Sequence, residues 1–299
     1  LGLGRSGFDH LAEQTDAILH SAANVRHFGH YRDFLTDNVD ATAHLVDLAA
    51  RRAAWYGGST ADLHVLSTIS VSGAPPEDGF RLFTEYDAVP DQPDRNYYIR
   101  SKQEAERLAE RSRDRIGNVC IHRVGNIVFA ADGGPLQRNI RENAFFRMLG
   151  ALARIGVVPD DSHVWLCHVD VVAAAVVALA ETPALANLTH HVEHARRDSL
   201  ADFITGAASV AGTVQPAEFG SFLNRVAAAV DRPELETALA EILESFGLLR
   251  GVSPQSRGRR LEVCSDRTQQ FLRRMGIAWP EIPPEGQASM IAAALELKP

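Results

Sequence analysis

The sequence predicts an α/β fold of the doubly wound, Rossmann type, followed by a smaller helix-rich region. Three observations carry this. Short apolar runs recur at 16–20, 63–67 and 118–122 without polar alternation, as strands buried on both faces of a parallel sheet do. Stretches with helical spacing lie between them, as crossover connections require. Beyond Asp198 the chain continues in helical segments with no further strand rhythm. A length of 299 residues accommodates one large domain with a smaller satellite.

Taken in order, the chain opens with Gly2-Leu3-Gly4-Arg5-Ser6-Gly7, a match to G-x-G-x-x-G. That pattern holds a pyrophosphate only where a strand delivers it to a helix N-terminus. One residue precedes it here, so it reads as the approach to a helix Phe8–Gln14. A strand Asp16–His20 follows, then a long helix Tyr31–Arg52 with Leu35, Val39, Leu45, Val46 and Ala49 near helical spacing. After the strand Leu63–Ser67, a Gly- and Pro-rich loop from Gly73 to Asp94 leads to a helix starting near Tyr97 and running past Leu108. The strand Asn118–His122 comes next. Pro135 to Ile155 reads as loop and helix, His163–His168 as one short strand, and Val169–Leu179 as an apolar helix returning to the sheet. Further helices are expected at Leu200–Val210, Phe219–Val230, Pro233–Phe246, Asp266–Gly276 and after Pro284. A dinucleotide-binding domain over 1–134, to which 164–190 returns, is therefore expected beside a helix-rich substrate domain over 135–163 and 191–299.

Composition removes several classes. The formal charge of −8 is spread along the chain with no basic block, so a nucleic-acid partner has no electrostatic footprint. The longest apolar run, Val169–Ala180, is too short to span a bilayer and carries Asp170. With no signal-like segment at Leu1, a cytoplasmic protein is expected. Cys120, Cys167 and Cys264 have no metal-ligand spacing, and the first two sit in apolar runs as reduced core residues do. His27/His30 and His190-His191 lack a companion at ligand spacing, so no metal site is expected. No G-x-S-x-G marks a hydrolase.

The chemistry concentrates at the strand ends. Tyr98-Ile-Arg-Ser-Lys102 lies on a predicted helix, where residues four apart share a face. An ammonium under the ring is expected to lower the tyrosine pKa toward the working range. Thr68, at the end of the preceding strand, offers a hydroxyl to an oxygen gaining negative charge. Gly125 and Asn126 follow the next strand, where backbone passes beside a nicotinamide ring. Ser21, Ala22 and Ala23 follow the first strand, where small side chains let an adenosine lie against the loop.

With these motifs the sequence resembles the extended short-chain dehydrogenase/reductases. More narrowly it is similar to their thioester-reductase branch: the terminal reductase domains of nonribosomal peptide and polyketide synthetases, and carboxylic acid reductases. The resemblance rests on Leu1-Gly2-Leu3, Ile18 to Val25, Asn38 to Thr42, Val65 to Val71, Tyr98 to Lys102, Arg123 to Ile127, Gly156 to Asp160 and His168 to Val172, in collinear order. It implies Thr68, Tyr98 and Lys102 as the catalytic trio, with Lys102 also on the nicotinamide ribose. It further implies Ser21, Ala22, Ala23, Asn38, Gly125 and Asn126 as cofactor contacts, and NADPH as cofactor. The implied reaction reduces an acyl or peptidyl thioester on a carrier-protein phosphopantetheine arm to an aldehyde, with an alcohol after a second reduction. Ala41 stands where the family usually has Gly, and Val124 where it usually has Pro. The family also opens with a strand, glycine loop, helix and strand that hold the pyrophosphate. That unit is expected before Leu1.

The competing readings are a nucleotide-sugar epimerase or dehydratase and a redox-silent scaffold. The first usually has Tyr where Ser72 precedes Gly73, and an R-P-x-x-x-Y-G-P run where Arg123–Phe129 stands. The second typically lacks the tyrosine that Tyr98 supplies.

Overall fold

A computed structural model describes residues 2–26, 29–73, 76, 79–91, 96–132, 136–137, 140, 143–194, 196, 198–245 and 260–296. His27, Asp94, Pro135 and Phe246, named in the expectations above, lie outside the described residues.

The first half alternates as the sequence predicts. Helix α1 (Arg5–Gln14) precedes β1 (Ala17–His20). It begins at Arg5 rather than Phe8 because Gly4 is its N-cap, so half of the glycine pattern is helix. The long helix expected at 31–52 is three pieces: α2 (Tyr31–Phe34), a π-helical turn Leu35–Asp40, and α3 (Ala41–Arg51). Strand β2 (Asp62–Thr68) is followed by β3 (Phe80–Phe83) inside the segment read as loop. Helix α4 (Tyr97–Arg111), β4 (Val119–Val124) and β5 (Asn126–Val128) complete this half.

The second half runs α5 (Ala144–Ile155), β6 (Val157–Pro159), β7 (His163–Val164), β8 (Leu166–His168), α6 (Val169–Ala180) and β9 (Thr189–Val192). The segment His163–His168 is thus two strands broken at Trp165, since β7 pairs with β10 (Asp198–Ser199) and β8 with β5. Helices α7 (Leu200–Gly206) and α8 (Ala208–Ala211) split the expected 200–210 helix. Strand β11 (Gln215–Ala217), α9 (Phe219–Ala228), α10 (Glu236–Ser245), β12 (Arg260–Val263), α11 (Asp266–Arg274) and α12 (Pro284–Glu296) follow.

The main sheet is parallel throughout, in the order β1–β2–β4–β9. Successive side chains of a strand face opposite sides, and β2 uses both. Leu63 and Val65 pack with Val46 and Ala49 of α3, Ala109 of α4 and Val119. Leu66, on the other side, packs with Val172, Val176 and Leu179 of α6 and Leu272 of α11. This two-sided covering is the doubly wound architecture the apolar runs predict.

Two features depart from the expected layout. Strand β9 carries the sheet past residue 190, to Val192. Helix α11 packs on β9 and α6 rather than with the helix-rich part, because Leu272 and Phe271 complete the apolar layer over that sheet face. The helix-rich part has its own core, in which α5 and α12 cross closely. A side chain at Gly150 would stand 2.4 Å from the Ala294 carbonyl oxygen, so only glycine fits the crossing.

Candidate active site

At the carboxyl edge of the sheet, register brings the strand ends together. Thr68 ends β2 opposite Val124 of β4, so Gly125 and Asn126 leave the sheet beside it. His20 ends β1 opposite Val65, which sets the loop Ser21–Ala23 level with Leu66. Thr68 is buried, and its hydroxyl oxygen accepts the Ser70 N–H at 3.2 Å, turning the chain into a short 3-10 turn.

Helix α4 is capped at its start and tied to that turn from its second turn. The Asn96 side chain caps it by accepting the Ile99 N–H at 3.1 Å. Gln103 donates from Nε2 to the Val71 carbonyl at 3.0 Å. Tyr98 therefore lies in the first turn, and its phenol is hydrogen-bonded to the Thr68 side chain. One turn on, Lys102 is buried and donates from Nζ to the Leu66 carbonyl at 2.6 Å. The predicted trio is assembled on two elements.

The electrostatics differ from the expectation. Burial pushes the Tyr98 phenol up to about 12, opposed only by its bond to Thr68. Lys102 does not pull it down, because burial dominates at both groups and the ammonium is turned onto the Leu66 carbonyl. Burial lowers Lys102 itself to about 8, partly opposed by the carboxylate of Glu106. Tyr98 is thus held protonated, the form a proton donor needs.

Of the cofactor-side residues, Ser21 and Ala22 are exposed and Ala23 is half-buried, leaving the loop after β1 open. Asn38 is buried under that loop in the π-helical turn. Its Oδ1 accepts the Asn24 N–H at 2.7 Å and its Nδ2 donates to the Asn24 carbonyl at 3.1 Å. Gly125 sits where a β-carbon would stand 3.1 Å from the Cys167 sulfur, so a larger residue there would press on β8. Asn126 is exposed, and its N–H donates to the Trp165 carbonyl at 3.1 Å.

Three further groups adjoin the trio. His20 is buried at the end of β1 and lowered to about 4, by burial and then by the charge of Lys102. Arg123 and Glu106 form a fully buried ion pair at 2.9 Å, one helical turn beyond Lys102. Arg123 also donates to the Asp87 carbonyl at 3.1 Å and stacks over Phe83. Ser101 is buried between Tyr98 and Lys102. Helical spacing carries a signal for Glu106, which lies four residues past Lys102 on the same face.

Comparisons with known proteins agree with this fold. The chain is 32% identical over 196 residues to isonitrile lipopeptide synthase of Streptomyces coeruleorubidus, an alignment spanning 64% of this chain and 12% of that protein. The terminal R domain from the myxalamid PKS-NRPS biosynthetic pathway has the same fold. It superposes with a TM-score of 0.80 at 24% identity, covering 99% of this chain and 71% of that one. A thiolation-reductase di-domain from an archaeal non-ribosomal peptide synthetase superposes at 0.75 and 22% identity, covering 97% of this chain and 59% of that one. Residues 1–176, more than half of the sequence, match the family model of NAD-binding domains described as male sterility protein. The chain belongs to that family of NAD-binding domains.

Proposed function

We propose that this chain reduces an acyl or peptidyl thioester held on a carrier-protein phosphopantetheine arm and releases it as an aldehyde, with NADPH as reductant. The observation that carries the reading is the bonded hydroxyl pair of Thr68 and Tyr98, with Lys102 one turn behind it at the open edge of a parallel sheet. When the thioester carbonyl enters, the Thr68 hydroxyl exchanges its bond to Tyr98 for one to the carbonyl oxygen, to which Tyr98 also donates. As the thioester carbonyl becomes tetrahedral, its oxygen gains negative charge, and two preorganised donors stabilise it. Tyr98, protonated by burial, then supplies the proton. Collapse of the resulting hemithioacetal expels the pantetheine thiol and leaves the aldehyde.

The residues present fit a nicotinamide cofactor. NADPH, when bound, supplies the hydride. An ammonium carries three donors, and Lys102 directs one at Leu66, so it has the capacity to hold ribose hydroxyls as well. Ser21, Ala22 and Ala23 offer an open loop of small side chains for the adenosine side, while Gly125 and Asn126 line the nicotinamide side. The helix-rich part is the surface we assign to carrier docking, since the sheet edge is committed to the cofactor.

The test compares substrates under one set of conditions. A carrier-bound thioester should be turned over with higher kcat/KM than a free aldehyde or a small thioester mimic, with NADPH preferred to NADH and the aldehyde captured by a hydrazine. Turnover of a nucleotide sugar with no activity on any thioester would replace this reading by the epimerase one.

A further inference from the structure

Asn38 and Ser101 form one chain of hydrogen bonds across the site. Ser101 lies on α4 between Tyr98 and Lys102 and has no exposed surface. Its hydroxyl donates to the Tyr98 carbonyl at 2.8 Å and accepts from Asn38 Nδ2 at 2.8 Å. The other Asn38 donor and its acceptor are both spent on the backbone of Asn24. A carboxamide offers two N–H donors and one oxygen, and here each has a partner. The side chain therefore pairs with Asn24 through two bonds, as a neighbouring strand would, while its third bond reaches the catalytic helix.

Asn38 reaches both sides because it sits in the π-helical turn Leu35–Asp40. The wider turn changes where a side chain points relative to the α-helix around it, and such turns recur at functional sites. A second contact spans the same two segments farther out. The Tyr31 hydroxyl donates to Glu104 of α4 at 2.5 Å, and Arg100 lies over the Tyr31 ring.

We propose that Ser101 is a positioning residue that locks the first turn of the catalytic helix to the loop after β1 through Asn38, so that Tyr98 and the cofactor-side loop keep one relative geometry. The proposal deepens the reductase reading above and rests on it for its catalytic consequence. Without the Ser101 hydroxyl, the Asn38 amide keeps its Asn24 partners but loses the acceptor that fixes its plane. The loop then loosens relative to Tyr98.

Ser101→Ala in the full chain tests this by two readouts. Amide hydrogen exchange at Asn24 requires no substrate, and should quicken by about five- to tenfold, the equivalent of one net hydrogen bond. Turnover of a carrier-bound thioester should fall by a similar factor, with KM for the thioester unchanged and NADPH bound more weakly. Ser101→Thr, which keeps the hydroxyl, should restore both. If Ser101→Ala does not fold, Ser101→Cys carries the same measurements with the size of the side chain preserved. Unchanged exchange at Asn24 overturns the link. So does faster exchange with kcat and NADPH affinity both at wild-type values, the pattern of a merely structural contact. A wild-type chain inactive on every thioester would retire the reductase reading instead, and the exchange experiment would still decide the link.

Discussion

The two parts of the molecule bury different kinds of side chain. The helix-rich part packs Phe146, Leu149, Leu152, Phe203, Phe222 and Met290 into an apolar core. Among the described residues, its helices α5, α7–α10 and α12 bury no polar side chain. The sheet layer buries Lys102, Glu106, Arg123 and the histidines 20, 64, 122, 190 and 191. Three of these form a column across adjacent strands. The His64 and His122 rings stack at 5.5 Å, His122 and His190 at 5.3 Å, and His64 Nδ1 faces His122 Nε2 at 3.3 Å. An apolar core is specified by volume, and neighbours adjust to modest changes of shape. A buried charge is specified by its partner, and no adjustment replaces a missing one. The sheet layer thus holds its chemistry by geometry, whereas the helix-rich part contributes shape.

The largest stability effect should therefore come from the ion pair. Glu106→Ala leaves the Arg123 guanidinium buried without its carboxylate, against an exposure of 0% for that side chain. Breaking such a pair costs about 3–5 kcal/mol, to be read as the shift in a urea unfolding midpoint. A loss under about 1 kcal/mol, the range of exposed pairs, would mean that water reaches Arg123 and would erase half of the contrast.

The next effect is acid sensitivity confined to the sheet layer. Burial lowers His190 and His191 to about 3 and His122 well below its usual range. A group whose folded pKa is depressed takes up protons first in the unfolded chain. Its contribution is therefore intact above about pH 6.5 and is lost as pH falls from there toward the folded value. Each such histidine adds a slope of about 1.4 kcal/mol per pH unit in that window. Unfolding midpoints measured from pH 7 to 5 should fall steeply, and His190→Phe should reduce the slope. A flat profile over that range would contradict the burial of the column.

The smallest effect should come from the apolar core. Leu152, with no exposed surface, packs in the helix-rich part. Leu152→Met should cost under about 1.5 kcal/mol, as volume-conserving hydrophobic exchanges do, with turnover unchanged. A loss comparable to that of Glu106→Ala would show that the two interiors are not specified differently.

Which parts were legible in the sequence follows from the same contrast. The apolar strands β1, β2 and β4 and helix α4 announce themselves by local pattern, and Thr68, Tyr98 and Lys102 by spacing. Strand β9 does not, because its histidines read as polar: α11, some 80 residues later, covers His190, and Phe83 stacks on His191 from the other face. Strand β3 was hidden in a Gly- and Pro-rich segment, since its pairing partner β12 lies far along the chain. The π-helical turn at Asn38 leaves no trace in helical periodicity, yet it carries the side chain that bonds both Ser101 and Asn24. The upward shift of Tyr98 leaves no trace in spacing, which places Lys102 nearby but does not report the burial that dominates.

The role proposed for Tyr98 is that its hydroxyl donates to the reacting oxygen. Tyr98→Phe removes that oxygen and keeps the ring, so the fold should lose little stability. Acid catalysis and one oxyanion donor each contribute about a hundredfold or more. Turnover on a carrier-bound thioester should therefore fall by at least about a hundredfold, with NADPH affinity nearly unchanged. Lys102→Ala, measured beside it, should weaken both turnover and NADPH binding. A Tyr98→Phe protein that stays within a few-fold of wild type in turnover would contradict the account.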